Sequence, residues 1–188
     1  MLKNNINNWN GNSIDVTKSR GRVIATISPF DNLMYKGCIP GTKIIASEII
    51  QKLYKSNHEK AFNLISNEWK LKYYCDLQST NSEDSLTWSI FSALVYGDNV
   101  YKQSFLMNLS EALSIEEKPD NIDICLWRRM PHPDTNVSGG PEIDVLISTD
   151  NSIYMIECKW RSGVGKKQGK NKDKSQIELS VDIKTLLS

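Results

Sequence analysis

Apolar residues fall along the chain in short groups whose spacing changes near the middle. In the first half Ile44, Ile45, Ile49, Ile50 and Leu53 recur at three- and four-residue intervals, which predicts a helix. Phe62, Ile65, Trp69 and Tyr73 form a similar stripe, so His58 to Gln78 reads as a second helix. Ahead of them, Val23 to Ile27 is a short apolar run stopped by Ser28-Pro29, a strand or extended arm. The stretch from Asn4 to Ser19 is polar and Asn-rich and predicts a mobile start. Beyond residue 79, Thr80-Asn81-Ser82-Glu83 matches a capping box, and Glu83, Ile90, Phe91 and Leu94 share one face of the helix that follows. Gly97-Asp98-Asn99 ends that helix, and another runs from Val100 to Leu113.

Alternation then replaces helical spacing. Ile122, Ile124 and Leu126 predict a strand to Met130, closed by Pro131-His132-Pro133. Glu142 to Ser148 and Ser152 to Trp160 are two more strands, and the short connection between them predicts a hairpin. Ser162 to Ser175 is a Gly/Lys-rich loop. From Gln176 to Ser188 the apolar positions fit a strand and a helix equally. The chain thus divides into a mainly helical N-terminal elaboration, 1–78, and an α/β core, 79–188.

Composition narrows the class. With 188 residues, 39% of them hydrophobic, the chain can bury a core without disulfide staples. Its four cysteines stand far apart, without the spacing of a zinc site, and no apolar run reaches membrane-spanning length. These features predict a reduced, cytoplasmic protein. The net charge of +1 conceals an asymmetry. Between Arg161 and Lys174, the basic residues Arg161, Lys166, Lys167, Lys170, Lys172 and Lys174 face one acid, Asp173. That segment carries +5 and leaves −4 for the rest, so it is either a phosphate-contacting loop or a solvated linker. Arg128 and Arg129, at a strand end, are further phosphate contacts by the same logic. The five tryptophans read as core residues, and His58 and His132 as surface residues without catalytic partners.

The hairpin carries the candidate chemistry. Glu142 and Asp144 are two apart and share a sheet face, as do Glu157 and Lys159. Pairing the strands through a short turn brings Asp144 toward Glu157, with Lys159 beside them. Two carboxylates offer hard oxygen ligands to Mg²⁺, and a lysine can position water or offset phosphate charge. The tripeptide Glu-x-Lys occurs three times, at Glu68-Trp69-Lys70, Glu116-Glu117-Lys118 and Glu157-Cys158-Lys159. The first lies in a helical stretch and the second in a linker before Pro119; the third follows an apolar run and an acidic strand. The plain alternative is a cross-strand ion-pair ladder on a sheet surface. Glu142 is a second ligand or a solvated neighbour.

Gly140-Pro141-Glu142-Ile143-Asp144-Val145-Leu146-Ile147 followed by Tyr154-Met155-Ile156-Glu157-Cys158-Lys159-Trp160 resembles the PD-(D/E)XK nuclease superfamily. The resemblance covers roughly Ser82 to Leu187. It implies a restriction-endonuclease-like fold, a mixed central β-sheet flanked by helices, and metal-dependent hydrolysis of phosphodiester bonds, in DNA above other nucleic acids. It implies Mg²⁺ or Mn²⁺ held by Asp144, Glu157 and the backbone carbonyl of Cys158, with Lys159 acting on the attacking water. Glu83 and Gln176 match the family's outer glutamate and glutamine, although a capping role accounts equally for Glu83. A helix for 176–188, a role in restriction, phage defence or repair, and homodimers or further domains as partners belong to the same implication. One departure stands: the family core ends in a further strand. That strand is dispensable here, is supplied by Val23–Ile27, or lies in a longer protein. The chief rival function is a non-catalytic nucleic-acid-binding or interaction domain of a larger nuclease machine.

Overall fold

In the computed structural model, which describes residues 5–18, 24–55, 75–131 and 140–160, the Asn-rich start of the chain forms a β-hairpin. Strands β1 (Asn5–Asn7) and β2 (Ser13–Lys18) pair antiparallel. The Asn8 side-chain oxygen accepts the backbone N–H groups of Asn10 (3.0 Å) and Asn12 (2.9 Å), and Gly11 takes φ +77° to close the turn. This Asx chemistry makes a turn from residues that composition alone reads as mobile. Strand β3 (Ile24–Thr26) pairs with β2, giving a sheet in the order β1-β2-β3. The described part of the expected run at 23–27 therefore supplies β3 of this first sheet. Among the described residues it is not a strand of the sheet that bears Asp144.

The chain divides into two units, Met1–Tyr96 and Gly97–Ser188. In the first, helix α1 (Ser47–Lys55) buries Ile49 and Leu53. Helix α2 (Glu83–Val95) departs from its apolar pattern: Ile90 is 63% exposed, while Ser85, Trp88, Ser89 and Ser92 are buried. The buried positions follow the i, i+3, i+4, i+7 stripe, and two of the hydroxyls that line it, Ser85 and Ser89, find backbone acceptors. Ser89 donates to the Ser85 carbonyl (2.7 Å) and Ser85 to the Leu77 carbonyl (3.2 Å). The cap also differs from expectation. Ser82 is the N-cap, its Oγ accepting the Ser85 N–H at 3.0 Å, so Glu83 occupies the first helical position rather than the third. A capping box therefore does not explain Glu83. Its charge faces the favourable end of the helix dipole instead.

A buried amide organises this unit. Gln78 donates to the carbonyls of Thr26 and Ile27 (both 3.1 Å) and accepts the Cys75 N–H at 2.8 Å. Helices α1 and α2 are tied by Lys52–Asp84 (2.9 Å), and Tyr96 donates to Glu48. Burial pushes the Cys75 thiol up to about 11. A thiolate-selective reagent at pH 8 is therefore expected to leave Cys75 unlabelled in the folded protein and to modify it in urea. Equal labelling rates in both states would contradict that burial.

In the second unit, helix α3 (Asn99–Ala112) packs against β4 (Ile122–Arg129) and ends in a Schellman motif. Ile115 N–H reaches the Ser110 carbonyl (2.8 Å) and Ser114 N–H the Glu111 carbonyl (3.0 Å), with Ser114 at φ +57°. Ser114→Gly is expected to stabilise the unit by about 0.5–1 kcal/mol, since glycine adopts this conformation freely. A lower urea midpoint in the variant would refute this. β5 (Glu142–Thr149) lies between β4 and β6 (Ile153–Ile156). Its Ile143, Val145 and Ile147 are buried, alternating with half-buried neighbours.

Among the described residues the fold is mixed α/β, with two three-stranded sheets and three α-helices. Every described ladder is antiparallel, where the resemblance implies a mixed sheet, and the N-terminal region contributes strands as well as helix. Short connections such as the β5–β6 turn allow only antiparallel pairing. No helix among the described residues is long and apolar enough to cross a membrane. The stripe of Phe62, Ile65, Trp69 and Tyr73, both histidines, the basic segment Arg161–Lys174 and the final segment from Gln176 lie outside the described residues.

Candidate functional site

The hairpin is held from outside its own strands. At its turn, Thr149 N–H donates to the Ser152 carbonyl at 2.9 Å. Asp150 accepts the backbone N–H groups of Asp120 and Asn121 (both 3.1 Å) and the Asn121 side-chain amide (2.8 Å), which pins the entry to β4. These bonds from Asn121 hold the Asp150 carboxyl below its ordinary value. Glu117, only 8% exposed, accepts the hydroxyls of Thr149 and Tyr154. Burial works against its charge, but the hydrogen bonds from Thr149 and Tyr154 prevail and hold its carboxyl low. Sequence reasoning missed this residue. It belongs to the Glu-x-Lys set aside as linker, and no local signal marks a carboxylate whose partners lie 32 and 37 residues away.

At the other end, β5 enters through a tight approach. A Cβ on Gly140 would fall 2.5 Å from the carbonyl oxygens of Met130 and Pro131, so only glycine fits there. Two residues on, Glu142 pairs in register with Arg129, and the side chains form an ion pair at 3.0 Å. Glu142 is thus neither a plain solvated neighbour nor an open ligand.

The β5–β6 ladder sets Val145 against Ile156 and Leu146 against Met155. One further step of that register puts Asp144 opposite Glu157, on one sheet face. β6 stops at Ile156, shorter than the strand expected to Trp160. A side-chain bond replaces the ladder there: Asp144 Oδ2 accepts the Cys158 N–H at 2.8 Å. Lys159 Nζ meets Glu157 Oε1 at 2.5 Å, with the lysine side chain 32% exposed and the glutamate 20%. Asp144, Glu157, Cys158 and Lys159 are therefore gathered around one strand end. Glu83 belongs to the first unit, and its place in the site rests on the resemblance alone.

Two further observations bear on the surroundings. Trp88 and Trp127 are core residues, but Trp9 is 61% exposed and Trp160 46%, against the expectation for all five. Trp9 sits in the β1–β2 turn and Trp160 past the end of β6, where no alternating face carries them inward. Among the described residues, no group of three or more His, Cys, Asp or Glu side chains is arranged to hold a metal ion. Comparison of the chain with protein-family models, curated proteins and solved structures finds no match.

Proposed function

We propose that this chain is a metal-dependent nuclease of the restriction-endonuclease-like kind, hydrolysing phosphodiester bonds in DNA above other nucleic acids. The observation that supports the reading is the strand end itself: Asp144 and Glu157 one step past the Val145–Ile156 pair, Cys158 N–H on Asp144, and Lys159 on Glu157. Mg²⁺ is commonly held by one or two carboxylates, several waters and substrate phosphates, so a two-carboxylate site fits it. Asp144, Glu157 and the Cys158 carbonyl would hold that ion, or Mn²⁺, which would supply charge neutralisation and a more acidic bound water.

The chain's own groups supply the rest. The Cys158 N–H fixes the Asp144 carboxylate at the strand end, and a carboxylate has two oxygens with which to accept donors or hold a cation. Lys159 donates to Glu157 and brings an ammonium group to the strand end. The ammonium can therefore orient a water, or donate to a phosphate oxygen as charge builds there. Glu83, Gln176 and the loop lysines join the proposal through the family likeness.

The test is cleavage of supercoiled plasmid, single-stranded DNA and RNA with Mg²⁺, Mn²⁺ or EDTA. Metal-dependent cutting that is strongest on DNA is the expected result. Nucleic-acid binding that is indifferent to metal, with no cutting, would instead establish a binding module. In that outcome the Asp144–Glu157–Lys159 cluster would be a structural ion-pair ladder.

A further inference from the structure

Trp127 is the one described strand residue with a left-handed backbone, at φ +53°. In the β4–β5 register Leu126 faces Val145 and Arg128 faces Ile143, so the position between them sets Trp127 across from Asp144. A bulky side chain in this conformation costs about 1–2 kcal/mol, and such outliers mark sites where geometry matters. Its effect is visible in burial. Ile124 and Leu126 are buried in alternation, which would send Arg128 inward; instead Trp127 is buried, and Arg128 and Arg129 are both exposed.

Glu142 then orients the second arginine. The Arg129–Glu142 pair is 3.0 Å long, with the arginine side chain 45% exposed and the carboxylate 18%. Glu142 and Asp144 share a face one two-residue step apart, about 7 Å along the strand. That separation is comparable with the span between adjacent phosphates of one nucleic-acid strand. The end of the face around Asp144 carries three carboxylates, Glu142, Asp144 and Glu157, against two cations, Arg129 and Lys159, with Asp123 at the far end of β4. Its net −1 becomes +1 once a divalent ion binds, and it then suits an anion.

We propose that Arg129, braced by Glu142 and turned outward with Arg128 by the left-handed Trp127, binds a backbone phosphate next to the one being cut. This rests on the nuclease reading and adds to it a substrate-binding residue. The planar guanidinium suits the role, since it can keep Glu142 on one nitrogen while others grip phosphate oxygens.

The test measures binding of a labelled DNA duplex in Ca²⁺ over a range of salt, and cleavage in Mg²⁺, for wild type, Arg129→Ala, Arg129→Gln and Lys159→Ala. Arg129→Ala is expected to weaken binding about ten-fold, as for loss of a hydrogen bond to a charged group. It should also shrink the slope of log K against log salt by about 0.9, one phosphate contact. KM should rise, with kcat at saturating DNA unchanged. Arg129→Gln retains a hydrogen bond to Glu142, and so the strand pairing, and should show the same loss; a purely structural arginine would leave the salt slope unmoved. If Lys159→Ala loses cleavage while both Arg129 variants keep wild-type affinity, slope and KM, this inference fails and the nuclease reading stands. If wild type neither binds nor cuts, both fail.

Discussion

Lys159→Ala is expected to slow DNA cleavage by about 100- to 1,000-fold with the protein still folded, the effect of removing one donor aimed at developing charge. The lysine side chain is 32% exposed and pairs with Glu157, two residues away, so removing it disturbs little packing. Asp144→Asn is the sharper companion. An amide oxygen can still accept the Cys158 N–H, which preserves the local geometry, but the charge that a divalent ion requires is gone. Cleavage should fall at least as far, and metal affinity with it. Single-turnover rates at saturating metal, read beside thermal midpoints, check both. Cutting that persists in both folded variants would falsify the site. Activity lost only in proportion to lost folded protein would reduce it to a structural cluster.

The second large effect is on stability. Glu117→Ala is expected to cost the second unit about 3 kcal/mol, because it strands the buried Tyr154 hydroxyl and removes the bond from Thr149. Glu117→Gln should cost less, since an amide oxygen still accepts one of the two. The acid dependence follows from the direction of the shift. The folded carboxyl lies below the ordinary 4.5, so its contribution is complete above that pH and is lost as pH falls through the folded value. Urea midpoints of wild type should therefore drop on acidification below about 4.5. The Gln variant should lose this component of the drop. Identical pH dependence in the two proteins would remove Glu117 as its source.

The two predictions are linked through register. Tyr154 sits in β6 against Ile147, and Glu117 grips it together with the turn residue Thr149. A slip of one residue would turn the side-chain set of β6 to the opposite face and part Glu157 from Asp144. The clamp is far from Asp144 along the strand, yet it fixes the pairing on which the site depends.

Much of the second unit was legible from periodicity. Alternating Ile143, Val145 and Ile147 bury one face, and that alternation leaves Glu142 and Asp144 together on the other. Helix α3 and the three strands of that sheet lie within one or two residues of their expected bounds, apart from β6, which ends early at Ile156. Neighbour-to-neighbour spacing is local information, and one chain carries it without help. It failed in α2, where serines rather than Ile90 line the buried face; Ser85 bonds there to the Leu77 carbonyl, outside the helix, an acceptor that the fold supplies. It failed also at Trp127, where a left-handed residue breaks the alternation and exposes two arginines in succession. Residue identity and order alone determined the candidate set of Asp144, Glu157 and Lys159 and the hairpin that bears it. The tertiary structure alone decided that Arg129 occupies Glu142, that Cys158 N–H holds Asp144, and that Glu117 locks the turn. Each of these joins groups distant in sequence, and such pairings follow from how strands and turns meet in space.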